Sequence, residues 1–150
     1  MAGVRATAQT GEITSGTTKL TLLQIIAAAN HRVVVREISV SFKGVSSTAS
    51  PILVQVLRQT DAGAGGTALT LKKMNESDDE SLQTTAQYET STTEPTGTDE
   101  VLGEEVHPQG GYTWQAPFGG EIIVPGGDRL GIAVTAAASV AAKARMIIEE

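Results

Sequence analysis

Two histidines, His31 and His107, are the side chains best suited to hold a metal or move a proton, and neither stands at a spacing that recruits a second ligand. A zinc site needs three or four donors converging on one point. His31 follows Asn30 in a turn-forming stretch, and His107 precedes Pro108. The chain has no cysteine, which removes thiolate sites, disulfides and a cysteine nucleophile together. Serines and aspartates are plentiful, but no Gly-x-Ser-x-Gly turn holds a serine in the strained, exposed geometry of a hydrolase nucleophile. These patterns predict a protein that is not an enzyme, with no catalytic residue, no cofactor and no metal.

Two further segments invite a chemical reading. The run Asn75-Glu76-Ser77-Asp78-Asp79-Glu80 is rich in oxygen donors, but it lacks the alternating ligands, central glycine and closing glutamate of a calcium loop. The stretch Asp61-Ala62-Gly63-Ala64-Gly65-Gly66 is glycine-rich, yet no Gly-Lys-Ser/Thr follows to hold a phosphate. It reads as a flexible tip. Tyr112, Trp114 and Phe118 are three of only five aromatic residues. Such a cluster suits a core plug, a subunit interface or a sugar-binding platform, because tyrosine and tryptophan supply large rigid contact area.

Charge is more informative in its distribution than in its total of −6. Residues 1–75 carry eight Lys/Arg against three Asp/Glu, whereas residues 76–150 carry three against fourteen. No basic residue occurs between Glu76 and Asp128. A nucleic-acid partner is not expected, since such proteins present a basic patch to displace counterions from phosphate. An acidic segment of this length is either a solvated loop or an electrostatic contact with basic strands of a neighbouring subunit. No stretch approaches the roughly 18 uninterrupted apolar residues that span a bilayer, and no apolar leader follows Met1, so no membrane partner is expected.

The elements that position these residues are strands. Apolar residues make up 40% of the chain but aromatics only 3%, so the core must be built from Val, Ile, Leu and Ala. Within Arg32–Phe42, the residues Val34, Ile38, Val40 and Phe42 share one phase while Glu37, Ser39 and Ser41 take the other; Arg36 interrupts the apolar phase. Ile52, Val54 and Val56 alternate likewise, with Leu53 and Leu57 making the second face apolar too. Leu130–Ala136 and Val140–Ile148 alternate as two antiparallel neighbours, and Pro125-Gly126-Gly127-Asp128 predicts a hairpin between Glu121–Val124 and Arg129–Thr135. Weaker strands are expected at Val4–Gln9, Lys19–Ile26, Ala68–Lys72, Ala86–Thr92, Val101–His107 and Tyr112–Gln115. The expectation is one all-β domain over residues 1–150, an antiparallel, jelly-roll-like β-sandwich. A long polar excursion covers about 60–98, and residues 1–13 could form an extended N-terminal arm.

Several segments carry a resemblance. Leu22-Leu23-Gln24-Ile25-Ile26 with Ala29-Asn30-His31-Arg32-Val33, Leu57-Arg58-Gln59-Thr60-Asp61-Ala62-Gly63, Glu105-Val106-His107-Pro108-Gln109-Gly110-Gly111-Tyr112 and Gly127-Asp128-Arg129-Leu130-Gly131-Ile132 resemble a family of small tailed-phage virion proteins similar to capsid decoration, or cement, proteins. The resemblance implies a sandwich that binds the major capsid protein lattice by bridging neighbouring subunits, typically as a homotrimer. It also implies a place on the virion capsid surface after assembly in the host cytoplasm, where absence of cysteine suits a reducing milieu. The alternative is a neck, tail or head-fibre component that recognises a cell-surface glycan through Tyr112 and Trp114. The expected contact residues are Val4, Arg5 and Glu12 in the N-terminal segment, Asp78, Asp79 and Glu80 in the acidic excursion, and the pair Tyr112 and Trp114.

Overall fold

The computed structural model describes residues 3–45 and 50–150. They form thirteen strands: β1 (Arg5–Gln9), β2 (Ile13–Ser15), β3 (Leu20–Ile26), β4 (Val33–Lys43), β5 (Ile52–Gln59), β6 (Thr67–Leu69), β7 (Lys72–Lys73), β8 (Thr85–Tyr88), β9 (Gly97–Val106), β10 (Gly111–Gln115), β11 (Ile122–Val124), β12 (Arg129–Thr135) and β13 (Val140–Glu149). A first sheet has the order β10-β4-β13-β1-β7, with β11 also on β4 and β2 on β13. A second sheet has the order β6-β8-β3-β12-β5-β9. The two sheets pack face to face as an all-β antiparallel sandwich. Its jelly-roll-like character lies in the path of the chain: β3, β4 and β5 alternate between the sheets, as do β11, β12 and β13.

That path revises two local expectations. β12 and β13 are not hydrogen-bonded neighbours, because β3 and β5 occupy both edges of β12 while β1 and β4 flank β13. The two strands lie in different sheets. The Pro125–Asp128 turn is likewise not a hairpin, since it carries the chain from β11 in the first sheet to β12 in the second. It is held by hydrogen bonds from Gly127 N to Ala27 O at 3.1 Å and from Ala27 N to Asp128 O at 3.0 Å. Gly127 has φ of 84°, a left-handed conformation that glycine adopts without steric cost.

The core lies between the sheets and is aliphatic, with Ile38, Val40, Ala144, Met146 and Ile148 of the first sheet against Leu23, Ile25, Val54, Val56, Leu130 and Ile132 of the second. Two bulges correct the simple alternation. In β4 the pairing with β13 shifts between Ile147 and Ile148, so the inward set is Val33 and Val35 before the bulge and Ile38, Val40 and Phe42 after it. Val34 therefore leaves the inner face, and Arg36 is accommodated rather than buried in the core. In β3 the pairing skips Leu22, which allows consecutive Leu22 and Leu23 both to be fully buried.

The N-terminal segment is part of the sandwich and not a free arm; its first two residues lie outside the described ones. β1 pairs with β13 over five residues, and Ala6 and Ala8 are completely buried. Alanine suits these positions because a larger side chain would hold the sheets apart. The 60–98 region is also stitched down: β6 and β8 extend the second sheet, and β7 pairs with β1 in the first.

Candidate functional site

The expected contact residues separate into three places. Val4 is buried at 6% exposure and exchanges backbone hydrogen bonds with Glu150. Arg5 is exposed and pairs with Glu149 at 3.2 Å, and its carbonyl accepts from Met74 N at 2.8 Å, which places it beside the acidic β7–β8 loop. Glu12 lies apart from both, pairing with Lys43 at 3.6 Å. Tyr112 and Trp114 sit on β10, on the opposite lateral side of the first sheet from β7.

The acidic loop is organised by its own atoms. Asn75 Oδ1 accepts from Ser77 N at 3.1 Å, Asn75 Nδ2 donates to Asp78 Oδ1 at 3.0 Å, and Lys73 Nζ donates to Asp78 O at 2.7 Å. Asp79 and Glu80 project into solvent. Among the described residues, no three His, Cys, Asp or Glu side chains are grouped to hold a metal ion.

Tyr112 and Trp114 pair in register with the inward residues Val40 and Ile38, so they share the inner phase of the sheet. Both are half-buried and pack against the core at its open lateral edge, together with Val101 and Leu102 of β9. They close the gap between the sheets. Burial, and secondly the negative charge of Glu104, raise the Tyr112 hydroxyl above its ordinary value. The rings are committed to packing, which leaves a sugar platform little free face.

β9 is the feature that the sequence pattern undervalued. It runs for ten residues along the free edge of the second sheet, hydrogen-bonded to β5 on one side alone. Asp99, Glu100, Glu104 and Glu105 are all exposed on it, and none of them forms an ion pair among the described residues. Bulges opposite Val56 and Leu57 break its alternation, which is why only its Val101–Val106 half reads as a strand in the sequence. Charged side chains along an open edge suppress indiscriminate strand pairing and leave contact to partners of opposite charge.

The outer face of the first sheet is the contrast. It carries Arg5–Glu149, Arg36–Glu149 at 2.9 Å, Arg36–Glu121 at 2.5 Å, Lys43–Glu12 and Arg145–Glu37. Charge there is largely neutralised within the chain. A polar cleft between β5, β9 and the β11–β12 turn holds Arg58 and Arg129, but Asp99 and Asp128 line it too. The two signs cancel, so the cleft is not an anion site.

After β10 the chain exposes its most conspicuous apolar group. Phe118 stands in the β10–β11 connection and is fully exposed, at 106% of the reference value. Phe118 belongs to the aromatic cluster seen in the sequence, whose inward alternation covers only Tyr112 and Trp114. What separates it is the turn: Gly119 has φ of 77°, and Gly120 N donates to Pro117 O at 2.8 Å. No protein-family model, curated protein or solved structure matches the chain.

Proposed function

We propose that this chain is a phage capsid decoration protein that binds the major-capsid lattice, bridges neighbouring subunits and acts without catalysis. The observation that carries the reading is β9, a ten-residue free edge bearing four carboxylates with no ion-pair partner among the described residues. A rigid sandwich presenting one acidic edge, offset only where Asp99 shares a cleft with Arg58 and Arg129, suits docking on a basic surface that recurs across a lattice. Repetition of a modest contact over many copies then gives high avidity. The half-buried packing of Tyr112 and Trp114 favours this reading over a neck, tail or head-fibre component that recognises glycan.

Cosedimentation with expanded capsids tests it. The variant carrying Asp99→Asn, Glu100→Gln, Glu104→Gln and Glu105→Gln keeps the shape of the edge and removes its charge. Lost cosedimentation with an unchanged thermal melt is the expected result; occupancy equal to the parent chain would refute the edge as the docking surface.

A further inference from the structure

We propose that the free edge of β10 takes up an extended segment of another protein as an added antiparallel strand, and that Glu104 selects a segment with Lys or Arg at alternate positions. The backbone of β10 is bonded on one side only. Phe42 N donates to Gly110 O at 3.1 Å and Ala116 N donates to Arg36 O at 2.9 Å, so in this register Tyr112 and Trp114 also bond to β4. The N–H and C=O groups of Gly111, Thr113 and Gln115 then point away from it. All three residues are exposed. Their side chains leave the edge clear: Thr113 Oγ1 lies 3.3 Å from Ser39 Oγ, and Gln115 Nε2 donates to Glu37 Oε2 at 3.2 Å. On β11, the other strand on this side of β4, the Ile123 carbonyl is already capped by Arg58 Nη1 at 3.0 Å.

Edge strands are ordinarily protected by charge, proline or shortness. β9 has its acids, and β6 and β7 are three and two residues long. β10 has five residues, no charge and no proline, and its Tyr, Thr and Trp favour extended structure. Nor can the β4–β5 connection cover it. Thr113 is level with Ser39, about 17 Å from Gly44 at about 3.3 Å per residue, and Ile52 begins β5 beside Val106 at the Gly44 end. The chain from Gly44 to Ser50 spans at most about 22 Å, too little to reach Thr113 and return.

Glu104 sets the chemistry of the added strand. It pairs with the buried Val54 and so lies on the inward phase of β9, yet it is exposed at the open side of the sandwich. Its charge reaches the Tyr112 hydroxyl on β10. A strand added to β10 turns alternate side chains to the phase of Tyr112 and Trp114, beside Glu104. A cation there gives Glu104 the ion-pair partner it lacks among the described residues. A second copy does not: its β10 brings only Tyr112 and Trp114 to that phase and sets one acidic β9 against another. Main-chain bonds supply affinity in this mode, and the alternate side chains supply specificity. The inference rests on the decoration reading only for placing the segment in the capsid protein.

Titration of the purified full chain with the end-capped heptapeptide Thr-Lys-Thr-Lys-Thr-Lys-Thr, followed by amide NMR, tests the edge. Saturable binding that slows hydrogen exchange at Thr113 and Gln115 is expected. Thr113→Pro removes an outward N–H and should weaken binding by about tenfold; Glu104→Gln should weaken it by about threefold. Circular dichroism melts check that both stay folded. The same heptapeptide N-methylated at its threonines should not bind, a test that leaves the chain unaltered. No binding by the parent chain, undiminished binding by folded Thr113→Pro or by the N-methylated peptide, or equal binding of a peptide with Glu in place of Lys would each overturn the proposal. A parent dimer that Thr113→Pro disperses would make a second copy the occupant and overturn it too. Peptide binding at β10 with no cosedimentation on expanded capsids would overturn the decoration reading alone.

Discussion

Gln59 occupies space that residue 131 leaves open only as glycine: a Cβ at Gly131 would lie 2.1 Å from Gln59 Oε1. The Gln59 carboxamide cannot swing aside cheaply. Its oxygen accepts from Gln24 Nε2 at 2.7 Å, and its nitrogen donates to Thr21 Oγ1 at 3.0 Å, all beneath the Thr60–Gly66 and Glu89–Thr96 segments. Gly131→Ala is expected to cost about 2–4 kcal/mol, combining overpacking with broken buried hydrogen bonds. Urea denaturation measures this, and an unchanged midpoint would contradict it.

Glu94 fastens the outer loop to the same network. Its carboxylate accepts from Thr21 N at 2.5 Å, Thr21 Oγ1 at 2.7 Å and Thr90 Oγ1 at 2.9 Å. Glu94→Ala leaves buried donors without acceptors, an expected loss of about 1–3 kcal/mol. Hydrogen exchange should quicken across Glu89–Thr96 and stay slow in β13; uniform protection in both segments would argue against this role.

Acid is expected to loosen the sandwich through three carboxylates. Burial alone would raise Glu150, but hydrogen bonds from Thr84 and the Gln83 amide outweigh it and hold the carboxyl below its ordinary value of 4.5. Glu149 is lowered in the same way: burial opposes, and hydrogen bonds and charge from Arg36 and Arg5 prevail. Asp61 is lowered by hydrogen bonds from Thr96 and Gly63. A depressed folded-state pKa contributes stability that is full above the unfolded value and is lost as pH falls through the folded one. Thermal melts should therefore be flat near neutrality and fall as pH drops below the ordinary carboxylate range. Glu150→Gln should flatten that acid limb, and an identical limb would remove Glu150 from the account.

Deleting residues 1–9 should abolish cooperative folding rather than trim an arm. It strips β1 from β13 and uncovers the core at the completely buried Ala6 and Ala8. Ala8→Leu is the milder test, with an expected loss of about 1–3 kcal/mol from overpacking. A truncated chain that melts like the parent would restore the arm.

The sandwich was legible because half-buried strands write their phase into the sequence. Ile52, Val54 and Val56 of β5 are buried between half-buried neighbours, and Leu130, Ile132 and Val134 of β12 keep the same phase although Gly131 and Ala133 between them are buried too. What alternation does not encode is which sheet a strand joins, so β12 and β13 looked like neighbours while pairing with different partners. A bulge also reverses phase without leaving a mark in composition, which misplaced Val34. Val4–Gln9 was legible as a strand, but not its pairing with β13 inside the sandwich, which buries Val4 and leaves Arg5 exposed. Tyr112 and Trp114 were legible as sharing one face through their spacing, and the fold commits that face to packing. The acids of β9 were counted but not located, because exposure on a free edge is a property of topology.

Cryo-electron microscopy of expanded tailed-phage capsids mixed with the purified chain tests the proposed docking most directly. The account predicts ordered density for the sandwich on the outer capsid surface, with Asp99, Glu100, Glu104 and Glu105 of β9 facing basic side chains of the lattice. Particles that lack the chain, or that hold it with β9 turned to solvent, would contradict it.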